Sequence, residues 1–169
     1  MSDLLRFPDP VNEIAARTVA AGVLVQTVLM LILVPAVGAG WLWLSVALAY
    51  GFLARVLTGP TLSPLGQFAT RVAAPRIGRA KPVPGPPKRF AQGMGTTMSL
   101  AVVVAHFGFR ADRLALVLLG LIAVAATLES VFAYCLGCKI FAVLMRAGII
   151  PTSVCETCAD VSLRLSSAT

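Results

Sequence analysis

The sequence predicts an all-α fold: an integral membrane helical bundle of about four transmembrane helices with a short cytoplasmic C-terminal helical tail. Three observations lead there. Hydrophobic residues make up 58% of the 169-residue chain and charged residues only 12%, where soluble domains carry about 25% charged residues, and the mean hydropathy is +0.89. The apolar residues gather into four long runs, and a proline-rich basic segment separates the second run from the third. Several spans of about 20 residues each leave no room for a separate soluble domain.

Residues 1–17 form a cytoplasmic N-terminal segment. It carries Asp3, Asp9 and Glu13 against Arg6 and Arg17, so it lacks the positive excess of a signal peptide, and the apolar run behind it exceeds a signal peptide's short h-region. A retained first helix is expected. The run from Thr18 to Pro35 contains no charge, and a turn holding Pro35, Gly38 and Gly40 leads to a second run, Trp41 to Ala54. Together, 18–56 read as a transmembrane hairpin. Trp41 and Trp43 suit the interface, where indole rings are favoured, and Ala47 and Gly51 offer a small-residue face for close helix approach.

Residues 57–89 change character. Pro60, Pro64, Pro75, Pro82, Pro84, Pro86 and Pro87 break any long helix, and Arg71, Arg76, Arg79, Lys81, Lys88 and Arg89 stand without an acidic residue. By the positive-inside rule this loop is cytoplasmic. It has no aromatic interleaving, so nucleic acid is not the expected partner; attraction to anionic lipid of the bilayer is. Residues 67–72 fit a short interfacial helix with Phe68 and Val72 on one side.

Residues 90–134 read as a second transmembrane hairpin. A third run extends from Phe90 to Phe107, and a fourth from Leu114 to about Tyr134, with Asp112 at its start to complement the helix dipole. With the basic loop inside, both termini are cytoplasmic and the fourth helix travels inward. At 1.5 Å per residue it crosses about 30 Å of hydrocarbon in roughly 20 residues. The four helices then pack as one bundle or form the protomer of a homo-oligomer.

The inward end of the fourth run carries the chemistry. All four cysteines lie in two C-x-x-C pairs, Cys135–Cys138 and Cys155–Cys158, within a dithiol region, 135–169. This spacing suits a dithiol that cycles through a disulfide, a soft-metal site of four thiolates, or a docking point for sulfur chemistry. A cytoplasmic location is reducing and disfavours a permanent disulfide; an inverted topology would make both pairs structural disulfides. The 16 residues between the pairs fall within the range of zinc sites, so Cys135, Cys138, Cys155 and Cys158 are candidate ligands of zinc or of an iron–sulfur cluster as well as candidate catalytic thiols.

The segment from Lys139 to Arg146 either prolongs the fourth helix or forms a separate surface helix. On a continuous helix, Cys135, Cys138, Lys139 and Arg146 share one face, where cations favour the thiolate. Pro151 followed by Thr152 or Ser153 can open a second helix, which would place Cys155 in its first turn beside Glu156 and Asp160.

Glu129 lies within the fourth run, near its cytoplasmic end, and an intramembrane carboxylate is a functional candidate by default. On a continuous helix it points about 120° away from Cys135, so contact between them requires a helix break or a partner helix. A protonated carboxyl bonded to Thr96, Thr97 or Ser99 is the structural alternative. His106 is expected to be an interfacial histidine near the outer face. No nucleotide loop, Ser/His/Asp constellation or haem-ligand pair is present in the sequence.

Three stretches, Pro10-Val11-Asn12-Glu13, Gly85 to Gln92, and Leu128-Glu129 through Phe132 to Cys135-Leu136-Gly137-Cys138-Lys139 with Cys155 and Cys158 behind, resemble a family of small bacterial membrane proteins of unknown function, common in actinobacteria. The resemblance covers nearly the whole chain. It implies a bacterial inner (plasma) membrane location and genes that are often encoded near thioredoxin-like and rhodanese-type sulfurtransferase proteins, and hence such a partner. The function expected is thiol–disulfide or sulfur handling through the paired dithiols, with Glu129 as an accessory group. The alternative is a zinc- or iron–sulfur-binding membrane scaffold.

Overall fold

The computed structural model describes residues 7–79, 81–155 and 158. The described residues are mostly helical. The first long helix, α1 (Glu13–Val37), is fixed at its start by Asn12, whose side chain accepts a hydrogen bond from Ile14 N at 3.0 Å, and Glu13 lies in its first turn. Both features satisfy the positive helix end. Pro35 stands within the last turn, and the helix stops at Gly38 with φ 138°, a conformation that favours glycine. A 3₁₀ turn, Ala39–Trp43, leads directly into α2 (Leu44–Thr58).

The proline-rich loop is more ordered than expected. Ser63 accepts from Gly66 N, with Pro64 next, and opens α3 (Pro64–Phe68); a π-type turn (Ala69–Ala73) and α4 (Ala74–Ile77) continue it. The expected helix at 67–72 is thus part of a longer helical stretch. Proline is tolerated at a first helical turn, where its missing N–H has no partner to lose. A short antiparallel pairing follows, with β1 (Val11–Asn12) against β2 (Pro82–Val83). It ties the segment before α1 to the segment before α5.

Next, α5 (Gly85–Val103) begins with Pro86 and Pro87 in its first turn. Lys88 and Arg89 therefore belong to a helix and not to the loop where the boundary at residue 89 put them. A π-type turn, Val104–Gly108, ends this run, and α6 (Asp112–Ser130) returns; α7 (Leu136–Arg146) is a separate shorter helix.

Sequence-adjacent helices are not the main packing partners. α1 packs chiefly on α6 and α2 on α5, with α5 against α6 joining the two pairs, whereas α1 and α2 touch little. Met30, Leu42, Leu48, Val102 and Leu119 fill the centre. Two glycines permit close approaches here: a Cβ on Gly95 would run into the Phe52 ring, and one on Gly22 into the Leu65 side chain. The outward faces stay apolar, with Val25, Ile32, Val117, Leu121 and Val124 all exposed. In water such a surface would aggregate.

Among the described residues, three helices are long and apolar enough to cross a membrane: Glu13–Val37, Ala39–Thr58 and Asp112–Ser130, with mean hydropathies of 2.3, 1.5 and 1.8. The sequence reading of four spans exceeds that number. The run in question is α5, which is long enough but carries Lys88, Arg89, Gln92, Thr96, Thr97 and Ser99.

Candidate functional site

The site is assembled where α6 ends. Arg17 of α1 donates from Nη2 to the carbonyls of Ser130 at 3.0 Å and Val131 at 3.2 Å, closing the C-terminal end of α6. A cation there opposes the negative dipole end. The chain then reverses: Tyr134 N reaches back to Leu128 O at 2.9 Å, and Ala133 adopts φ 54°. That conformation is uncommon outside glycine, asparagine and aspartate. The fourth helix accordingly does not continue through the cysteines, and of the two alternatives for 139–146 the separate helix is the one observed.

Reversal brings α7 onto α5. Gly137 meets Ala91 so closely that an added Cβ would lie 2.6 Å from Ala91 Cα, and Phe90 packs on Phe141 with ring centroids 5.6 Å apart. Cys135 becomes the residue preceding α7, and its sulfur accepts from Cys138 N at 3.3 Å. An N-H and the positive end of an 11-residue helix are the surroundings that lower a thiol's pKa in dithiol oxidoreductases. Cys135 and Cys138 are joined as a disulfide with Cα atoms 5.2 Å apart.

The two cations expected beside these thiols both belong to α7. Lys139 Nζ sits 5.6 Å from the Tyr134 ring centroid, and Arg146 is in the last turn of α7, about 15 Å along the axis from its start.

Glu129 is held by a partner that the sequence reading did not name. Its Oε1 lies 2.6 Å from Lys88 Nζ, with side-chain exposures of 17% and 12%. Thr96, Thr97 and Ser99 bond instead to carbonyls of their own helix, those of Gln92, Gly93 and Thr96. The structural alternative for Glu129 is therefore overturned: an ammonium one helix away outcompetes hydroxyls already satisfied along α5. Because the chain reverses after α6, Glu129 and Cys135 line one cavity of about 320 Å³, together with Phe52, Gln92 and Gly137. The 120° separation expected on a continuous helix does not apply.

The second pair is built separately. A 3₁₀ turn, Thr152–Val154, follows Pro151, and Cys155 comes immediately after it, buried and disulfide-bonded to Cys158. Glu156 and Asp160 lie outside the described residues. Among the described residues no three His, Cys, Asp or Glu side chains are grouped to hold a metal ion, so the four sulfurs do not form one ligand set as they stand. His106 is remote from the thiols; its Nδ1 is 2.6 Å from Asp112 Oδ1 where α6 begins.

Two groups escaped the sequence reading as site residues. Lys88 looked like one of several loop cations. Arg55, which falls within the 18–56 hairpin just before the basic loop, is only 5% exposed; its Nε donates to Gln92 Oε1 at 2.9 Å and its Nη1 to Ser63 Oγ at 3.2 Å. The available signal was its position: an arginine still inside the periodic run of α2, one helical turn before Gly59.

Fold and site define a helical protein with candidate membrane-spanning helices and a C-x-x-C dithiol at a helix N-terminus. Over residues 11–146 the chain matches the model of the Domain of unknown function (DUF4395) family, and it belongs to that family. The matched stretch includes Arg55, Lys88, Glu129, Cys135 and Cys138. No curated protein and no solved structure matches the chain.

Proposed function

We propose that this protein is a membrane-embedded thiol–disulfide or sulfur-handling protein whose working dithiol is Cys135–Cys138. The observation that carries the reading is the position of Cys135: at the N-terminal end of α7, bonded to Cys138, in the wall of a cavity it shares with Glu129. Starting from the reduced form, the Cys135 thiolate attacks a substrate disulfide, forms a mixed disulfide and releases one substrate thiolate. Cys138 then attacks the Cys135 sulfur, expels the second substrate thiolate and closes the intramolecular disulfide. Two electrons pass from the dithiol to the substrate, and a reducing dithiol partner restores the protein. With a persulfide donor, Cys135 attacks the outer sulfur, the donor's S–S bond breaks and its inner sulfur leaves as a thiolate; Cys138 then attacks Cys135 Sγ, expelling hydrosulfide and closing the disulfide.

In this scheme Glu129, held by Lys88, exchanges protons with the thiols through the shared cavity. Cys155–Cys158 serves as a second dithiol that passes electrons or sulfur onward. We place α5 across the membrane beside α1, α2 and α6, with the basic segment and both termini cytoplasmic in a bacterial plasma membrane. A thioredoxin-like or sulfurtransferase protein is the partner such a dithiol would serve.

Trapping tests the reading. Cys138→Ser in the full-length protein should accumulate a reductant-sensitive mixed disulfide through Cys135, and Cys135→Ser should not. Stoichiometric zinc or iron with all four thiols protected, lost from both variants, would replace it with the metal-scaffold reading.

A further inference from the structure

We propose that a second cavity, beside the dithiol cavity and walled by Arg55, Lys88 and Gln92, binds an anion: an oxyanion headgroup carried on an apolar body. The cavity measures about 250 Å³ and lies between the strand segment before α1 and the facing ends of α2 and α5. Phe7, Pro8, Val11 and Ala16 give it apolar sides, whereas Arg55, Lys88 and Gln92 give it a polar end. An apolar chamber with a few convergent polar groups is the usual form of a small-molecule site.

Charge selects the ligand's sign. Arg55, buried, and Lys88, partly buried, contribute two positive charges, and among the described residues the carboxylate against them is Glu129, bonded to Lys88. Of the flanking charges, Arg89 donates to Val56 O and faces the Phe7 ring, and Asp9 accepts from Gly85 N; these two cancel. The cluster retains one net positive charge. A buried charge of that kind is costly until it is paired.

Arg55 also has donors to spare. Nε and Nη1 have one acceptor each, Gln92 and Ser63, but Nη2 is fully buried without a hydrogen-bond partner. Buried polar groups are almost always satisfied, and a guanidinium is the group best suited to grip a carboxylate or phosphodiester through paired N–H donors. One net positive charge fits a singly charged headgroup, and the apolar walls fit a short hydrocarbon body. Gln92 lines both cavities, so an occupant held there would touch a wall of the dithiol chamber.

The source can be a soluble organic acid or an anionic lipid. With the full-length protein in neutral detergent, octanoate should raise the melting temperature in a concentration-dependent way, and octanol should not. Arg55→Gln should weaken octanoate binding by about tenfold or more, the effect of losing a charge-assisted pair. Ala16→Phe, which narrows the chamber without touching a charge, should weaken it similarly and keeps the test valid if Arg55→Gln fails to fold. Phosphatidylglycerol bound in native mass spectra and lost in the same variants, with octanoate inert, assigns the headgroup to lipid and supports the site. Equal effects of octanoate and octanol, or no binding of either octanoate or phosphatidylglycerol, overturn it.

Discussion

Lys88 Nζ and Glu129 Oε1 meet at 2.6 Å, and through this one contact the first turn of α5 is fastened to the last turn of α6. The pair lies between the two cavities: Lys88 lines the anion chamber and Glu129 the dithiol chamber. Its partial burial sets its energetic weight. Removing one partner of a fully buried pair costs about 3–5 kcal/mol; with side-chain exposures of 12% and 17%, water screens part of that.

Lys88→Met should therefore destabilise the protein by about 2 kcal/mol, because it strands the Glu129 carboxylate away from water. Adding Glu129→Leu should restore most of the loss. Thermal unfolding in detergent across the double-mutant cycle measures the coupling; additive single effects would show that the pair contributes nothing.

Gly137→Ala should loosen the seat of the dithiol. The added Cβ would approach Ala91 Cα and Cβ at 2.6 Å, and since the obstacle includes backbone, α7 must shift relative to α5. Overpacking of this kind costs about 1–3 kcal/mol. Alkylation of the reduced Cys135 should accelerate relative to the parent protein, whereas Gly120→Ala, where a Cβ meets nothing within 4 Å, should leave the rate unchanged.

Glu129→Gln separates the carboxylate's role from its packing. If Glu129 moves protons for Cys135, the pH dependence of thiol alkylation and of disulfide closure should shift while the fold is retained. An unchanged profile would reduce Glu129 to a structural partner of Lys88.

Topology can be read with single cysteine labels in a background lacking the native thiols. A label at Lys81 should resist impermeant reagents in intact cells, and one at Gly40 should react. Gly40 is exposed, and a Cβ added there meets nothing within 4 Å. The opposite pattern would place both dithiols outside and favour structural disulfides.

The sequence by itself determined the class of fold, the location of the apolar helices and the placing of both cysteine pairs just beyond the last long one. Those features are local: a run of 20 apolar residues or a C-x-x-C spacing is complete within its own stretch of chain. It also singled out Glu129, since a carboxylate inside an apolar run is costly wherever it lies. Its limits were equally physical. Helix starts at Ser63 and Gly85 were hidden because proline reads as a breaker until its position within the first turn is known.

Tertiary structure decided everything that depends on distant residues meeting. The reversal at Ala133 is held by Arg17 from the opposite end of the chain and by the docking of Gly137 on Ala91, neither of which leaves a local pattern. That reversal places Cys135 at a helix N-terminus and in one chamber with Glu129. The partner of Glu129 is Lys88, 41 positions earlier, and Arg55 finds Gln92 and Ser63 only through the packing of α2 with α5 and the intervening segment. Periodicity specifies which face of a helix is apolar; only packing specifies which charge lies opposite.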